Sequence, residues 1–324
     1  MNAPLRTPND PSSNSLILPL IAKRWEPRGG QRDEKAGDKG YELIDSGHGR
    51  KLERYGKIIV DRPEPQALWD MSLPPKEWEC AHARFTNSGD EEQDAGKWKI
   101  NRDVPDSWAV EWQNIRMMCR LMSFRHMGLF PEQQTHWQWV NDQIHAAGRP
   151  LNILNLFAYT GAASLSAAAS DAGVQVTHVD ASKKAIQWAK ENQEASGLTH
   201  CPIRWICDDA KAFVARELRR GRTYDGIILD PPKFGRGPNG ERWQIEEDLP
   251  QFLRDCAALL SDRPSFMILT AYAMRLSSIS LGAALRDVTK NLGGECQSGE
   301  LLIAQKNGDR FLSTSLFARW RATA

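Results

Sequence analysis

Asn152-Ile153-Leu154-Asn155-Leu156-Phe157-Ala158-Tyr159-Thr160-Gly161-Ala162-Ala163-Ser164 decides the fold. The run opens as a short apolar strand, turns at a single glycine and enters an alanine-rich helix predicted from Ala162 to Ala172. A strand that feeds directly into a helix opens a β-α unit, and the chain then repeats it. Val174 to Asp180 reads as a second strand with a helix from Ser182 to Ala195, and Ile203 to Cys207 as a third with a helix from about Ala210 to Arg220. Tyr224 to Leu229 is a fourth strand, ending at Asp230-Pro231-Pro232. A helix over 245–260, a strand from Phe266 to Thr270 and a helix over 276–291 continue the series. Repeats of this size predict an α/β fold with a doubly wound, mostly parallel sheet and right-handed crossovers. The end differs: Gly299 to Gln305 and Arg310 to Arg319, joined by Lys306-Asn307-Gly308-Asp309, predict a C-terminal antiparallel hairpin closing the sheet.

Upstream the texture changes. Residues 1–15 are rich in Pro, Ser and Asn, and 23–40 form a mixed-charge stretch with Gly29, Gly30, Gly37 and Gly40, so residues 1–40 are expected to be a flexible tail or arm. From Tyr41 to about Arg125, short alternating runs such as Lys57-Ile58-Ile59-Val60 and Lys97-Trp98-Lys99-Ile100 lie between turn residues. They predict a small β-rich domain over 41–125, ahead of the α/β domain over 126–324. Eight of the twelve tryptophans precede residue 141, which suits either a compact core or stacking on nucleic-acid bases.

Composition bounds the function. A chain of 324 residues suggests about two domains, and 41% hydrophobic with 26% charged residues describes a soluble globular protein. A formal net charge of +1 means that any nucleic-acid partner has to be held by a local basic patch. Cys80, Cys119, Cys201, Cys207, Cys256 and Cys296 are scattered without zinc spacing, which fits free thiols in a reducing compartment and no metal. The apolar run Leu16 to Ala22 is far short of the ~20 residues of a spanning helix and lacks the order of a signal peptide. A cytoplasmic protein with no membrane partner is expected.

What stands at the strand ends points to a ligand, because open α/β sheets bind beyond the carboxyl ends of their strands. A dinucleotide site wants G-x-G-x-x-G after the first strand, to bring bare backbone to a pyrophosphate, and this turn has one glycine. Asp180 ends the second strand, where an acid accepts hydrogen bonds from ribose hydroxyls. Asp208-Asp209-Ala210 ends the third, where a carboxylate accepts from an adenine amino group. Acids at these positions also cap helices, but three successive strand ends together specify an adenosine without phosphate.

The turn Phe157-Ala158-Tyr159-Thr160-Gly161, the acid Asp180, the pair Asp208-Asp209 and Asp230-Pro231-Pro232-Lys233-Phe234 resemble the class I S-adenosylmethionine-dependent methyltransferases related to bacterial 23S ribosomal RNA large-subunit methyltransferases. The likeness runs over about residues 125–320, and Tyr41–Trp69 looks like the family's N-terminal extension. Gly128-Leu129-Phe130-Pro131-Glu132-Gln133-Gln134 is similar to the segment that closes over the cofactor; the family usually carries an Asp and an Arg where this chain has Glu132 and Gln134. The resemblance implies a seven-stranded Rossmann-like methyltransferase sheet and S-adenosyl-L-methionine as cofactor. It implies Phe157, Ala158, Tyr159, Thr160 and Gly161 on the methionine side and Asp180, with Ala181 and Ser182, at the ribose. Asp208, Asp209 and Ala210 follow at the adenine, with Phe130 and Gln133 from the closing segment. Asp230 stands where cofactor and acceptor meet, and Asp230, Pro231, Pro232, Lys233 and Phe234 form the catalytic motif.

The chemistry follows from that cofactor, whose methyl group is already activated, so the protein mainly aligns a nucleophile with it. Phe157, Tyr159 and Phe234 either face the cationic sulfur or simply pack. In amino-group methyltransferases the related motif carries an aromatic after the two prolines; here Lys233 holds that place and Phe234 comes one later. Lys233, Arg236 and Arg242 contact acceptor phosphates or form a solvated loop. Methylation of cytosine carbon 5 needs a cysteine nucleophile, and Leu269-Thr270-Ala271-Tyr272-Ala273-Met274 contains none. The expected activity is therefore methylation of a base of RNA, by resemblance ribosomal RNA, at a nitrogen. The alternatives are a small-molecule or protein methyltransferase and a binding module without catalysis, the latter opposed by the intact Asp230-Pro231-Pro232.

Overall fold

The computed structural model describes residues 15–22, 39–87, 96–171, 173–272, 276–307 and 310–323. In chain order the elements are β1 (Ser15–Ala22), β2 (Tyr41–Gly47), β3 (Arg50–Tyr55), β4 (Ile58–Pro63), α1 (Pro75–Trp78), β5 (Ala83–Asn87), β6 (Gly96–Ile100), β7 (Trp108–Trp112) and β8 (Ile115–Cys119). A 3-10 turn, Pro131–Gln133, leads into α2 (Gln134–Ala147). There follow β9 (Asn152–Leu156), α3 (Ala162–Ala168), β10 (Gln175–Asp180), α4 (Lys183–Ala195), β11 (Ile203–Cys207), α5 (Ala210–Arg219) and β12 (Gly226–Leu229). The chain ends with β13 (Phe234–Arg236), β14 (Arg242–Gln244), α6 (Ile245–Ala258), β15 (Phe266–Ala271), α7 (Ser278–Thr289), β16 (Glu295–Ala304) and β17 (Phe311–Arg321).

The large sheet runs β1-β16-β17-β15-β12-β9-β10-β11. β9, β10, β11, β12 and β15 pair in parallel, and β17 is antiparallel to both β15 and β16. The doubly wound sheet and its closing hairpin are therefore as expected. β12 and β15 are buried at every position, as strands covered by helices on both faces must be. Strand order reverses at β9: the chain moves out to β10 and β11 on one side, then returns to β12 on the other. That reversal opens a crevice beyond the ends of β9 and β12.

Two elements depart from the expectation. Ser15–Ala22, within the segment read as a flexible tail or arm, is an eighth strand lying parallel to β16, from Ser15 opposite Cys296 to Ala22 opposite Ile303. Its one proline, Pro19, is tolerated because β1 is an edge strand with a side that needs no N–H donor. The glycine-rich stretch over 23–38 lies outside the described residues. Between the Asp230-Pro231-Pro232 turn and α6 the chain makes an additional hairpin, β13 with β14.

The β-rich N-terminal region is a five-stranded sheet, β2-β3-β4-β5-β6, and a two-stranded ribbon, β7-β8. Tyr41, Leu43, Tyr55, Val110 and Met117 share one apolar core with Trp137, Leu165, Leu198 and Ile303, so packing is continuous across residue 125. Of the early tryptophans, Trp78, Trp108, Trp112 and Trp137 are buried. Trp78 donates to Asp45 Oδ2 at 3.0 Å and Trp108 to the Tyr55 carbonyl at 2.9 Å. These four rings pack in the core, and those of Trp78 and Trp108 have their polar edge satisfied.

Candidate active site

The turn after β9 is built from backbone that side chains rarely adopt. Phe157 and Tyr159 have φ of +56° and +48°, and Gly161 has +90°. Two non-glycine residues in the left-handed region cost free energy that the surroundings must supply. Here Tyr159 N–H donates to Asp180 Oδ2 at 2.8 Å, Thr160 Oγ1 to the Gly128 carbonyl at 2.6 Å, and Asn192 Nδ2 to the Thr160 carbonyl at 2.9 Å. At Gly161 a Cβ would stand 3.1 Å from that of Ala189, so the turn needs glycine for conformation and close approach.

Asp180, at the end of β10, accepts from Tyr159 N–H with one oxygen and from Ser182 N–H, at 2.8 Å, with the other. Each oxygen keeps a second lone pair for a ribose hydroxyl. Burial raises its pKa, against the pull of the two backbone donors. Ser182 is also the cap of α4, accepting from Ala185 N–H. The two acids after β11 part company. Asp208 pairs with Arg216 and accepts from Asp209 N–H. Asp209 is buried and caps α5 through Ala212 N–H at 2.9 Å, ahead of Ala210.

A cleft with about 60 Å³ of free space lies beyond β9 and β12. Of the expected site residues, Phe130, Gln133, Phe157, Ala158, Tyr159, Thr160, Gly161 and Asp230 line it. Asp180, Ala181, Ser182, Asp208, Asp209 and Ala210 do not, and neither do Pro231, Pro232, Lys233 and Phe234. Phe157 also packs on Trp243 and Phe252, with ring centres 4.9 and 5.8 Å away. The ring of Tyr159 lies 5.8 Å from that of Phe130, whose own centre is 5.6 Å from that of Tyr272. Phe234 is 55% exposed on β13 with Lys233 Nζ 5.1 Å above its ring. Trp243 Nε1 donates to the Pro232 carbonyl at 2.7 Å, so the β13-β14 hairpin pins the Asp-Pro-Pro turn from outside.

Asp230 is the electrostatic centre of the cleft. Gln133 Nε2 donates to its Oδ2 at 3.1 Å, while Oδ1 is sealed from solvent with no partner among the described residues. Burial, and then the nearby Glu132, push its pKa up to about 8. Tyr272, Glu132 and His136 are the members that sequence reasoning did not assign to the site. Tyr272 follows β15 and is hydrogen-bonded to Gln133. Its stretch was read only for the cysteine it lacks. His136 lines the cleft fully buried, and burial holds its pKa down at about 3.

These residues fit an adenosyl sulfonium. The turn has a single glycine, each Asp180 oxygen keeps a lone pair beyond its backbone donor, and Asp230 Oδ1 is buried with no partner among the described residues. When bound, that cofactor supplies an electrophilic methyl group. Topology, cleft and donor set together are those of a class I methyltransferase.

Comparison with known proteins gives the same class. The model of a family of S-adenosylmethionine-dependent methyltransferases matches residues 83–270, and the chain belongs to that family. The crystal structure of a SAM-dependent methyltransferase from Agrobacterium tumefaciens is 45% identical, covers 95% of each chain and superposes with a TM-score of 0.85. A methyltransferase structure complexed with S-adenosylhomocysteine shares the fold at 18% identity and a TM-score of 0.65, over 87% of this chain and 76% of that one. A ribosomal RNA large subunit methyltransferase K/L from Shewanella frigidimarina is 34% identical over 153 residues, 47% of this chain. The chain spans only 20% of that relative's length. No described helix is long and apolar enough to cross a membrane.

Proposed function

We propose that this S-adenosylmethionine-dependent methyltransferase acts on a base of ribosomal RNA, at a nitrogen rather than at cytosine carbon 5. The observation that carries the choice of atom is the content of the cleft: among the described residues Asp230 has a buried oxygen without a partner, and no cysteine lines the walls. Carbon 5 of cytosine needs a thiolate to form a covalent adduct first. Cys256 is buried in α6 with its thiol pushed up by burial, and Cys207, exposed at the end of β11, is turned to the Ala181 carbonyl. A nitrogen with its own lone pair needs alignment alone.

Support for RNA comes from the names of the curated relatives and from the outer rim of the site. Lys233, Phe234, Arg236 and Arg242 cluster on the hairpin that follows Asp230-Pro231-Pro232, an arrangement of cations and one open aromatic face suited to phosphate and base. In this reading the tight turn and Asp180 hold the adenosyl group, Asp230 receives the acceptor, and the hairpin holds the nucleic acid, in the cytoplasm. Transfer of tritiated methyl groups to unmodified large-subunit RNA, small-subunit RNA, protein and small-molecule fractions in parallel tests it. Label in large-subunit RNA, recovered after digestion as a nitrogen-methylated nucleoside, is the expected result; label confined to protein or small molecules refutes it.

A further inference from the structure

Side chains from three distant parts of the chain meet at Asp230. Glu132 and Gln133 lie in the turn before α2, and Tyr272 directly follows β15. Both hydrogens of Gln133 Nε2 are committed, one to Asp230 Oδ2 at 3.1 Å and one to the Tyr272 hydroxyl at 2.8 Å. The Tyr272 hydroxyl is hydrogen-bonded to Glu132, whose carboxylate accepts. Every polarity in the chain is thereby set, and Asp230 is left with one free oxygen, Oδ1, sealed from solvent.

We propose that Tyr272 and Gln133 are positioning residues for methyl transfer, clamping Asp230 so that Oδ1 meets the acceptor, and that Glu132 makes Asp230 answer to the positive charge of the cofactor. The proposal rests on the reading of Asp230 as the acceptor-facing residue. Burial, then Glu132, keep Asp230 protonated at neutral pH before a cation enters the cleft, with its pKa at about 8. A sulfonium nearby favours the carboxylate, so a proton leaves as the cofactor binds. When a neutral amine then attacks, the N–C bond forms and the C–S bond breaks with its electron pair left on sulfur. The extra proton on nitrogen passes to Asp230 Oδ1.

Burial raises the pKa of Glu132, with Glu53 adding to it; the other charged groups facing the cluster, Lys51 and Arg62, favour its carboxylate. Tyr55 and Tyr272 stay neutral through burial, and His136 in the same cleft is neutral down to a pKa of about 3.

Calorimetry of the full chain in buffers of different ionisation enthalpy, from pH 6 to 9, counts the protons released on binding S-adenosylmethionine and its uncharged product S-adenosylhomocysteine. The wild type should release more protons with the cation, and Asp230→Asn should erase the difference. Glu132→Gln should lower the pH midpoint of release, because Glu132 pushes the Asp230 pKa up, and Tyr272→Phe, which frees Gln133 and Glu132, should move it as well. Thermal melts identify a variant that has failed to fold, in which case Tyr272→Trp and Glu132→Met replace it. Equal proton release for the two ligands, or midpoints unmoved in both variants, overturns the proposal. No RNA is used, so failure of the RNA reading leaves this result standing.

Discussion

The side-chain amide of Gln133 donates to Asp230 Oδ2 at 3.1 Å, joining the turn ahead of α2 to the end of β12. The contact closes the cleft from its upstream side with a neutral donor, where a cation would have paired the carboxylate and drawn its pKa down.

Asp230→Asn should lose far more in turnover, about a hundredfold or more, than in cofactor affinity. The same variant should be more stable than the wild type, increasingly so as pH rises. A carboxyl whose folded pKa is raised to about 8 binds more protons folded than unfolded between about pH 4 and 8, so its contribution to stability falls across that window. Thermal melts at pH 5 and 8.5 measure the gap, which should widen at the higher pH; a constant gap would contradict it.

Asp180→Ala removes the two candidate ribose acceptors and the partner of Tyr159 N–H. Losing charge-assisted bonds worth about 1.5–3 kcal/mol should weaken binding of S-adenosylmethionine roughly ten- to hundredfold. Titration calorimetry decides, and unchanged affinity in a folded variant takes Asp180 out of the site.

Gly128 has φ of +90°, and a Cβ there would stand 2.3 Å from Trp188 Cζ2. Gly128→Ala should therefore destabilise the fold by about 2 kcal/mol or more, through both strain and overlap. Denaturant unfolding should show a lower midpoint with an unchanged slope; an unchanged midpoint would mean that Trp188 yields freely.

His178 is buried with its pKa held down at about 3, its Nδ1 at 2.9 Å from Ser164 Oγ. Unfolded, it takes up a proton below about pH 6.5, so the stability it confers is lost as pH falls from there towards 3. His178→Gln should flatten the loss of stability between pH 6.5 and 4.5 by up to about 1.4 kcal/mol per unit. Parallel slopes for variant and wild type would speak against it.

RNA containing 5-fluorocytidine traps cysteine adducts of carbon-5 methyltransferases. Incubated with this protein and cofactor it should yield no denaturation-resistant protein–RNA species. One that vanishes on replacing a single cysteine would overturn the assignment to nitrogen.

How much of this was legible depended on the range of the signal. β9 to β12 announced themselves because each strand and its helix are adjacent in sequence, and the Asp230-Pro231-Pro232 turn stood directly after an apolar run. β1 was not legible: its partner β16 lies at the other end of the chain, and a short run with a proline carries no local mark of pairing. β13 and β14 are three residues each, too short for alternation to show. The roles of Asp208 and Asp209 are separated only by Arg216, about two turns of α5 further on, which takes the first and leaves the second to cap the helix. Tyr272 had no signal of its own, since its meaning comes from Gln133 and Glu132 far upstream.

The parallel strand β1 also sets an order of events during synthesis. Ser15 to Ala22 are made well before the strand they pair with, Glu295–Ala304. The edge of the sheet is completed by an early strand folding back onto a much later one, a contact of large sequence separation and hence of the slow kind. Until β16 is made, β1 waits without that partner, so its docking is expected to be a late step of folding.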